Sequence, residues 1–268
     1  MLVEGLKKIL SKLNLLEGLQ GTYFYYNLGN LVKSKNRSRF KKEKEFYKEL
    51  IYPNSLCFDI GANIGSKTYI FNKIRAKVVA FEPDQRAFKI LVKRYKNKKN
   101  IKLKNMSVGD AKGQSNISIF SSHTLTTMDK NTVDNQLKDI RLNETFIVKN
   151  ELVETDTLDN LILEYGKPDF CKIAVVGYEL NVLKGLGTPI KTISLAMTSP
   201  YHNDKLLLCI EHLAKIGAYE FNIIHHSSIG FELKNWVTAN EIKQIITELK
   251  INADPRYNEI FAKLISKT

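Results

Sequence analysis

Phe58-Asp59-Ile60-Gly61-Ala62-Asn63-Ile64-Gly65 is followed, after a short polar stretch, by Val78-Val79-Ala80-Phe81-Glu82-Pro83-Asp84. Leu56 to Ile60 is a short apolar run that ends at a glycine-rich turn, and Lys67 to Ile74 reads as the opening of a helix. The pattern is a strand, a tight turn and a helix. In such a unit the glycines let the main chain approach a ligand, and a carboxylate ending a second strand about 20 residues on can hold both ribose hydroxyls. Glu82 stands at that position.

A dinucleotide site would carry G-x-G-x-x-G with pyrophosphate over the helix N-terminus, whereas here Asp59 precedes the first glycine by two positions. A carboxylate there repels phosphate and attracts a ligand with an ammonium and a sulfonium. The ligand that fits is S-adenosylmethionine, with Asp59, Gly61, Asn63, Gly65 and Glu82 as its candidate contacts. An ordinary strand-turn-helix corner would account for the glycines but not for the two acids.

The chain has 268 residues, 43% of them hydrophobic, enough to bury a core. It reads as an N-terminal helical extension, residues 1–50, followed by one Rossmann-like domain, residues 51–268. Cys57, Cys171 and Cys209 are far apart and form no metal-binding or disulfide pattern, so no metal site is expected. No apolar run is long enough to cross a bilayer and the start lacks a signal peptide's apolar core, which makes the cytoplasm the expected location. The net charge of +13 is uneven, with 24 Lys and Arg against 8 Asp and Glu in residues 1–105. Runs such as Lys33 to Arg39 and Lys93 to Lys99 could meet nucleic acid or an anionic membrane, but no aromatic-interleaved motif accompanies them. A solvated helix face is the favoured reading.

Leu6, Ile9, Leu10, Leu13, Leu16 and Leu19 recur at helical spacing opposite Lys7, Lys8 and Lys12, which predicts an amphipathic helix over Leu2 to Leu19. Packing on the globular domain is expected for it ahead of peripheral membrane contact, and for the cluster Tyr23-Phe24-Tyr25-Tyr26 ahead of lining a substrate cleft. From Ile51 onward, expected strands are Ser55 to Ile60, Lys77 to Glu82, Ile101 to Val108, Phe170 to Val176 and Thr192 to Thr198. Expected helices lie at Lys67 to Ile74, Gln85 to Tyr95, Leu158 to Glu164, Glu179 to Gly185 and Lys205 to Ile216. That alternation predicts an α/β fold with a mostly parallel sheet and helices on both faces. Ser115 to Phe120 and Thr145 to Val153 read as extra strands flanking a mobile polar segment. The tail supplies a strand over Tyr219 to Ile224, a turn, Phe231 to Leu233, and a helix over Ala239 to Leu249.

Taken in order, these segments resemble the FkbM-type methyltransferases, a family of class I S-adenosylmethionine-dependent enzymes, over most of residues 51–268. The marks are Asp59 to Gly65, Phe81-Glu82-Pro83, Asn105 to Asp110, Glu154 to Ile162, and Gly177 to Gly185. The resemblance implies a seven-stranded class I methyltransferase sheet with an antiparallel C-terminal strand, and methyl transfer to a hydroxyl on a sugar or other small metabolite. It also implies that Asp110, the acid after the third strand, neighbours the adenine.

The sequence departs from the family at three acids. Where relatives read Lys-Ile-Asp-Val-Glu-Gly-Tyr-Glu, this chain has Lys172-Ile173-Ala174-Val175-Val176-Gly177-Tyr178-Glu179, and Ala196 stands where relatives often place Glu. An alcohol is a poor nucleophile unless a base accepts its proton or a metal binds its oxygen, and Ala174 and Val176 do neither. His123, His202, His225, His226 and Glu179 remain as weaker candidates, and no catalytic residue is assigned. Adjacent His225 and His226 would point to opposite faces of a strand, and Glu179 suits a helix first turn without catalysis. The alternatives to an active enzyme on a small hydroxylated acceptor are a catalytically silent cofactor-binding scaffold and, further off, a nucleic-acid methyltransferase.

Overall fold

In the computed structural model the described residues are 34–121, 125–138, 146–197, 203–224, 229–248 and 258–265. The amphipathic stretch Leu2 to Leu19, the cluster Tyr23 to Tyr26, and His123, His202, His225 and His226 lie outside them. Helix α1 (Ser34–Lys48) leads into β1 (Leu56–Ile60), α2 (Ser66–Lys73), β2 (Lys77–Phe81), α3 (Gln85–Tyr95) and β3 (Ile101–Lys104). Then come β4 (Ser107–Gly109), β5 (Gly113–Phe120), α4 (Lys130–Lys138), β6 (Ile147–Thr157), α5 (Leu158–Tyr165), β7 (Phe170–Ile173) and α6 (Glu179–Lys184). The chain continues through β8 (Thr192–Met197), α7 (Asn203–Ile216), β9 (Tyr219–Ile224), α8 (Ala239–Glu248) and β10 (Asn258–Leu264).

Seven strands form one sheet in the order β3-β2-β1-β7-β8-β10-β9, parallel except for β10, which runs antiparallel to both neighbours. Helices cover both faces, so β1, β2 and β7 are apolar almost throughout rather than alternating. One core lies under α5 to α8, built on Phe58, Ile60, Ile173, Leu195 and Ile260. The other lies under α1 to α3 and holds Cys57, Val78, Leu91, Phe170 and Phe261. Phe46 and Tyr47 of α1 belong to this second core, so the helix from the expected N-terminal extension packs directly on the sheet. Strand order reverses between β1 and β7, and such a switch point opens a crevice at the carboxyl ends of the strands.

A three-stranded sheet, β4-β6-β5, stands beside the main one. Its existence corrects the expectation of a single strand over Ile101 to Val108. Asn105 Nδ2 donates to the carbonyls of Glu82 and Pro83 and turns the chain, after which β4 leaves the main sheet to pair with β6. The expected strand Phe170 to Val176 ends early, at Ile173, because Val176 (φ 50°) and Gly177 (φ 89°) are left-handed and swing the main chain away. Part of the segment expected to be mobile is helix α4. Phe231 to Leu233 is not a strand, and the antiparallel strand comes from Asn258–Leu264, which the sequence reading had not assigned.

Gly185, at the end of α6, ties the two sheets together: a Cβ there would lie 2.2 Å from the Gly109 carbonyl oxygen of β4. Gly185→Ala is therefore expected to destabilise the protein by about 2–3 kcal/mol through backbone displacement, measured as a fall in the urea midpoint with an unchanged slope.

Candidate functional site

The crevice at the switch point holds a cavity of about 600 Å³. One end is formed by the turn after β1, by Glu82, and by Met106, Ser107 and Val108. Gly61 donates its N–H to the Phe81 carbonyl at 3.0 Å and has φ 75°. A Cβ on it would sit 2.1 Å from the Ala174 carbonyl oxygen, so only glycine fits between β2 and β7. Asn63 is left-handed too (φ 52°), and its Oδ1 accepts the Ile64 N–H at 2.7 Å. That local bond is why asparagine tolerates the position. Gly65 (φ 83°) is not on the cavity wall. It abuts the Tyr95 ring, whose hydroxyl donates to the Gly65 carbonyl at 2.7 Å, fixing α2 against α3.

Glu82 is 5% exposed. Its Oε2 accepts the Asn63 N–H at 2.7 Å and its Oε1 the Asp84 N–H at 2.8 Å, so the carboxylate clasps the β1 turn to the end of β2. Burial pushes its carboxyl up to about 8, against the two N–H groups, which favour the ionised form. Asp59 also lines the cavity, with its Oδ2 accepting the Thr68 hydroxyl at 2.6 Å and its carboxyl raised by burial.

Asp110 is placed differently from the expectation. It follows β4 rather than β3, is exposed, accepts a hydrogen bond from Asn181 Nδ2 at 3.2 Å and lies off the cavity wall. The bend at Asn105 carries it away and leaves Met106 to Val108 in its stead.

The far end of the cavity passes Ala174, Val175, Val176, Tyr178 and Ala196. It ends in a chamber under α1 lined by Tyr47, Lys67, Lys172, Ile224 and Glu259, with Arg39 and Glu43 beside them. Lys172 Nζ donates to Glu259 Oε1 at 2.9 Å, and Lys67 Nζ to Glu43 Oε2 at 3.3 Å. Burial opposes ionisation of Glu259, but Lys172 and Lys67 outweigh it and hold the carboxyl below its usual range. Burial, with Glu259, Glu43 and Asp59 nearby, raises the Tyr47 phenol.

These chamber residues were not picked out from the sequence. Arg39, Glu43, Phe46 and Tyr47 do recur at helical spacing, which is the signal that one face of α1 looks inward. Glu259 lies in the strand that had gone unassigned.

Three contacts hold the loop from Ala174 to Gly177. Glu179 accepts the N–H of Val175 at 3.1 Å and of Gly177 at 2.9 Å; Thr127 Oγ1 donates to the Val176 carbonyl at 2.7 Å; and Lys205, paired with Asp129, reaches the Gly177 carbonyl at 3.2 Å. Glu179 is thus a loop clasp off the cavity wall, its carboxyl pushed up to about 7 by burial. His212, the histidine among the described residues, bonds the Leu186 carbonyl at 2.9 Å. Among the described residues no group of three or more His, Cys, Asp or Glu is placed to hold a metal ion, and no helix is long and apolar enough to cross a membrane.

A mostly parallel seven-stranded sheet with one antiparallel strand, and a buried acid at the end of β2 facing a glycine turn after β1, define the class I methyltransferase fold. The chain belongs to the FkbM methyltransferase family: the family model for the methyltransferase FkbM domain matches residues 59–253. The protein is a methyltransferase, and S-adenosylmethionine is its cofactor. No match is found among curated proteins. Among solved structures the chain is similar to a precorrin-6y C5,15-methyltransferase from Geobacter metallireducens GS-15, at 13% identity and TM-score 0.44, covering 83% of this chain and 86% of that one. It is also similar to SMU.1697c, a putative methyltransferase from Streptococcus mutans in complex with SAH, at 10% identity and TM-score 0.43, covering 84% and 97%.

Glu82 and Glu179 bind a proton more tightly in the folded than in the unfolded chain. The stability each contributes is fully present below the unfolded value of 4.5 and is lost as pH rises through about 7 for Glu179 and about 8 for Glu82. The ligand-free protein is therefore expected to melt lower at about pH 8.5 than at about pH 5.5, and Glu179→Gln to flatten the acid half of that slope. Equal melting temperatures across this range would contradict the assignment.

Proposed function

We propose that the protein transfers a methyl group from S-adenosylmethionine to a hydroxyl of a small, neutral, polyhydroxylated acceptor of the carbohydrate type. The observation that carries this reading is the continuity of the cavity, from the end at Glu82 to the chamber at Lys172 and Glu259. When bound, S-adenosylmethionine supplies an electrophilic methyl group on a sulfonium. The chain's own residues hold and orient it. Glu82, in its ionised form, accepts the ribose hydroxyls, and Met106 and Val108 offer apolar contact to the adenine. Asp59 supplies negative charge toward the cationic end, while Gly61 and Asn63 set the main chain against the ligand. Gly65 acts through the α2–α3 contact, and Asp110 has no place in this scheme. Enclosure under α1 shields the reacting atoms from water and brings the two substrates together, which is the larger part of what a methyltransferase contributes. Three buried, unpaired cysteines, Cys57, Cys171 and Cys209, suit a reducing compartment such as the cytoplasm.

A second reading, cofactor binding without transfer, is favoured by Ala174, Val176 and Ala196. Turnover by the unmodified chain as fast as by the Ala174→Asp, Val176→Glu double variant would remove it.

Calorimetric titration with S-adenosylmethionine tests the cofactor site. Binding near pH 7 is expected to release close to one proton from Glu82, seen as a buffer-dependent enthalpy, with affinity rising as pH approaches 8. Glu82→Ala is expected to abolish the buffer dependence and weaken binding at least tenfold, with Asp59→Ala also weakening it. A tight site that survives both changes would place the cofactor elsewhere. Transfer of labelled methyl to a panel of neutral glycosides and polyols tests the acceptor class, and transfer confined to RNA would contradict it.

A further inference from the structure

On the α1 face of the sheet, a row of side chains crosses five strands, near the carboxyl ends of the parallel ones and the amino end of antiparallel β10. Asp59 on β1 is in register with Lys172 on β7, Lys172 with Ser194 on β8, and two residues further along β8, Ala196 pairs with Glu259 on β10. Glu259 pairs in turn with Ile224 on β9. Lys172 and Glu259 therefore meet across β8, where Ser194 and Ala196 are small enough to leave room for the bridge. Neighbouring strands are about 4.8 Å apart, so the span over β8 is within reach of a lysine and a glutamate. The lysine side chain is 7% exposed and the glutamate 16%, and both line the cavity.

Ala196 is the neutral cross-strand neighbour of Glu259. A carboxylate there would be the direct cross-strand neighbour of Glu259, and like charges opposite one another destabilise a sheet. The chain has one or the other: position 196 is neutral, and the negative charge rises from the next strand.

Each acid of the cavity has a partner, Glu259 in Lys172 and the others elsewhere. Glu82 is bonded by two backbone N–H groups, Glu43 by Arg39 and Lys67, and Asp59 by the Thr68 hydroxyl beneath the β1 turn. Of these acids, Glu259 is the one in register with Ala196.

Resting on the O-methylation reading above, we propose that Glu259 is the catalytic base and that, with Lys172, it forms the subsite for a neutral acceptor bearing vicinal hydroxyls. The hydroxyl to be methylated donates to Glu259, and the neighbouring oxygen accepts from Lys172. As the acceptor oxygen forms its bond to the methyl carbon, the carbon–sulfur bond breaks with its electron pair left on sulfur, which becomes a neutral thioether. The hydroxyl proton passes to the Glu259 carboxylate. Glu259 and Lys172 together carry no net charge and Glu43 is paired with Arg39 and Lys67, so an anionic acceptor such as a phosphate or a uronate would have to displace Glu259 from Lys172 beside Asp59. The subsite selects against it.

The experiment measures labelled methyl transfer to neutral glycosides, with sugar phosphates and uronates as comparators, alongside calorimetric binding of S-adenosylmethionine. Glu259→Gln is expected to keep cofactor affinity within about twofold, showing that the site is folded, and to lose about 10²–10⁴ in transfer, the usual worth of a positioned base. If that variant does not fold, Glu259→Asp, which keeps the charge next to Lys172 but withdraws it by one methylene, replaces it and is expected to lose at least tenfold. Adding Ala196→Asp to Glu259→Gln should return at least tenfold of the lost activity, a rescue that a merely structural Glu259 would not show. Undiminished transfer by Glu259→Gln or by the aspartate variant, absence of rescue, or a preference for anionic acceptors would overturn the proposal and leave the O-methylation reading intact. If the unmodified protein binds cofactor and methylates no hydroxylated compound, that reading fails and this proposal fails with it.

Discussion

The site depends on the close approach of three strands at Gly61. Its N–H is bonded to β2 through the Phe81 carbonyl, and the side where a side chain would project is filled by the Ala174 carbonyl at the end of β7. With no Cβ, the turn lies flat in the cleft between β1 and β7, and Ala62 and Asn63 are delivered to the point where the Asn63 N–H meets Glu82. Strand order, cavity position and the state of the Glu82 carboxyl all follow from that contact. A larger residue at 61 would push β7 aside and carry with it Lys172, the loop through Val176 and the wall of the acceptor chamber.

Electrostatics divide the cavity into two ends of different character. At the Glu82 end, burial raises both the Glu82 and the Asp59 carboxyls, against the backbone N–H groups on Glu82 and the Thr68 hydroxyl on Asp59. At the chamber end, acids and bases are paired side chain to side chain, and Lys172 and Lys67 outweigh burial to hold the Glu259 carboxyl below its usual range. A cation is drawn to the first end. The second presents donors and acceptors without a net field, the environment that suits a hydroxyl-rich molecule.

Much of this was legible in the sequence, for reasons that differ from element to element. Strands buried on both faces read as plain apolar runs, and α3 announces its start through Asp84, whose side chain accepts the Arg86 N–H. The turn from Asp59 to Gly65 and the acid at 82 were recognisable because their chemistry is local. Three features were not legible because they arise from distant contacts. The break between β3 and β4 depends on Asn105 reaching the Glu82 carbonyl. The early end of β7 depends on a valine held left-handed by bonds from Thr127 and Glu179 to its surroundings. Strand β10 carries charge at Glu259 and Lys263, so that its own residues do not mark it as an inner strand of the sheet.

The placement of β10 has a consequence for how the enzyme comes to exist in a cell. Because it slots between β8 and β9 rather than adding to an outer margin, earlier strands wait with unsatisfied backbone along β8 while residues 203–257 are made. The partner of Lys172 arrives 87 positions later. During synthesis on the ribosome the cleft at Glu82 can take shape before Glu259 is made, so the wall of the chamber at Lys172 is the last to be completed.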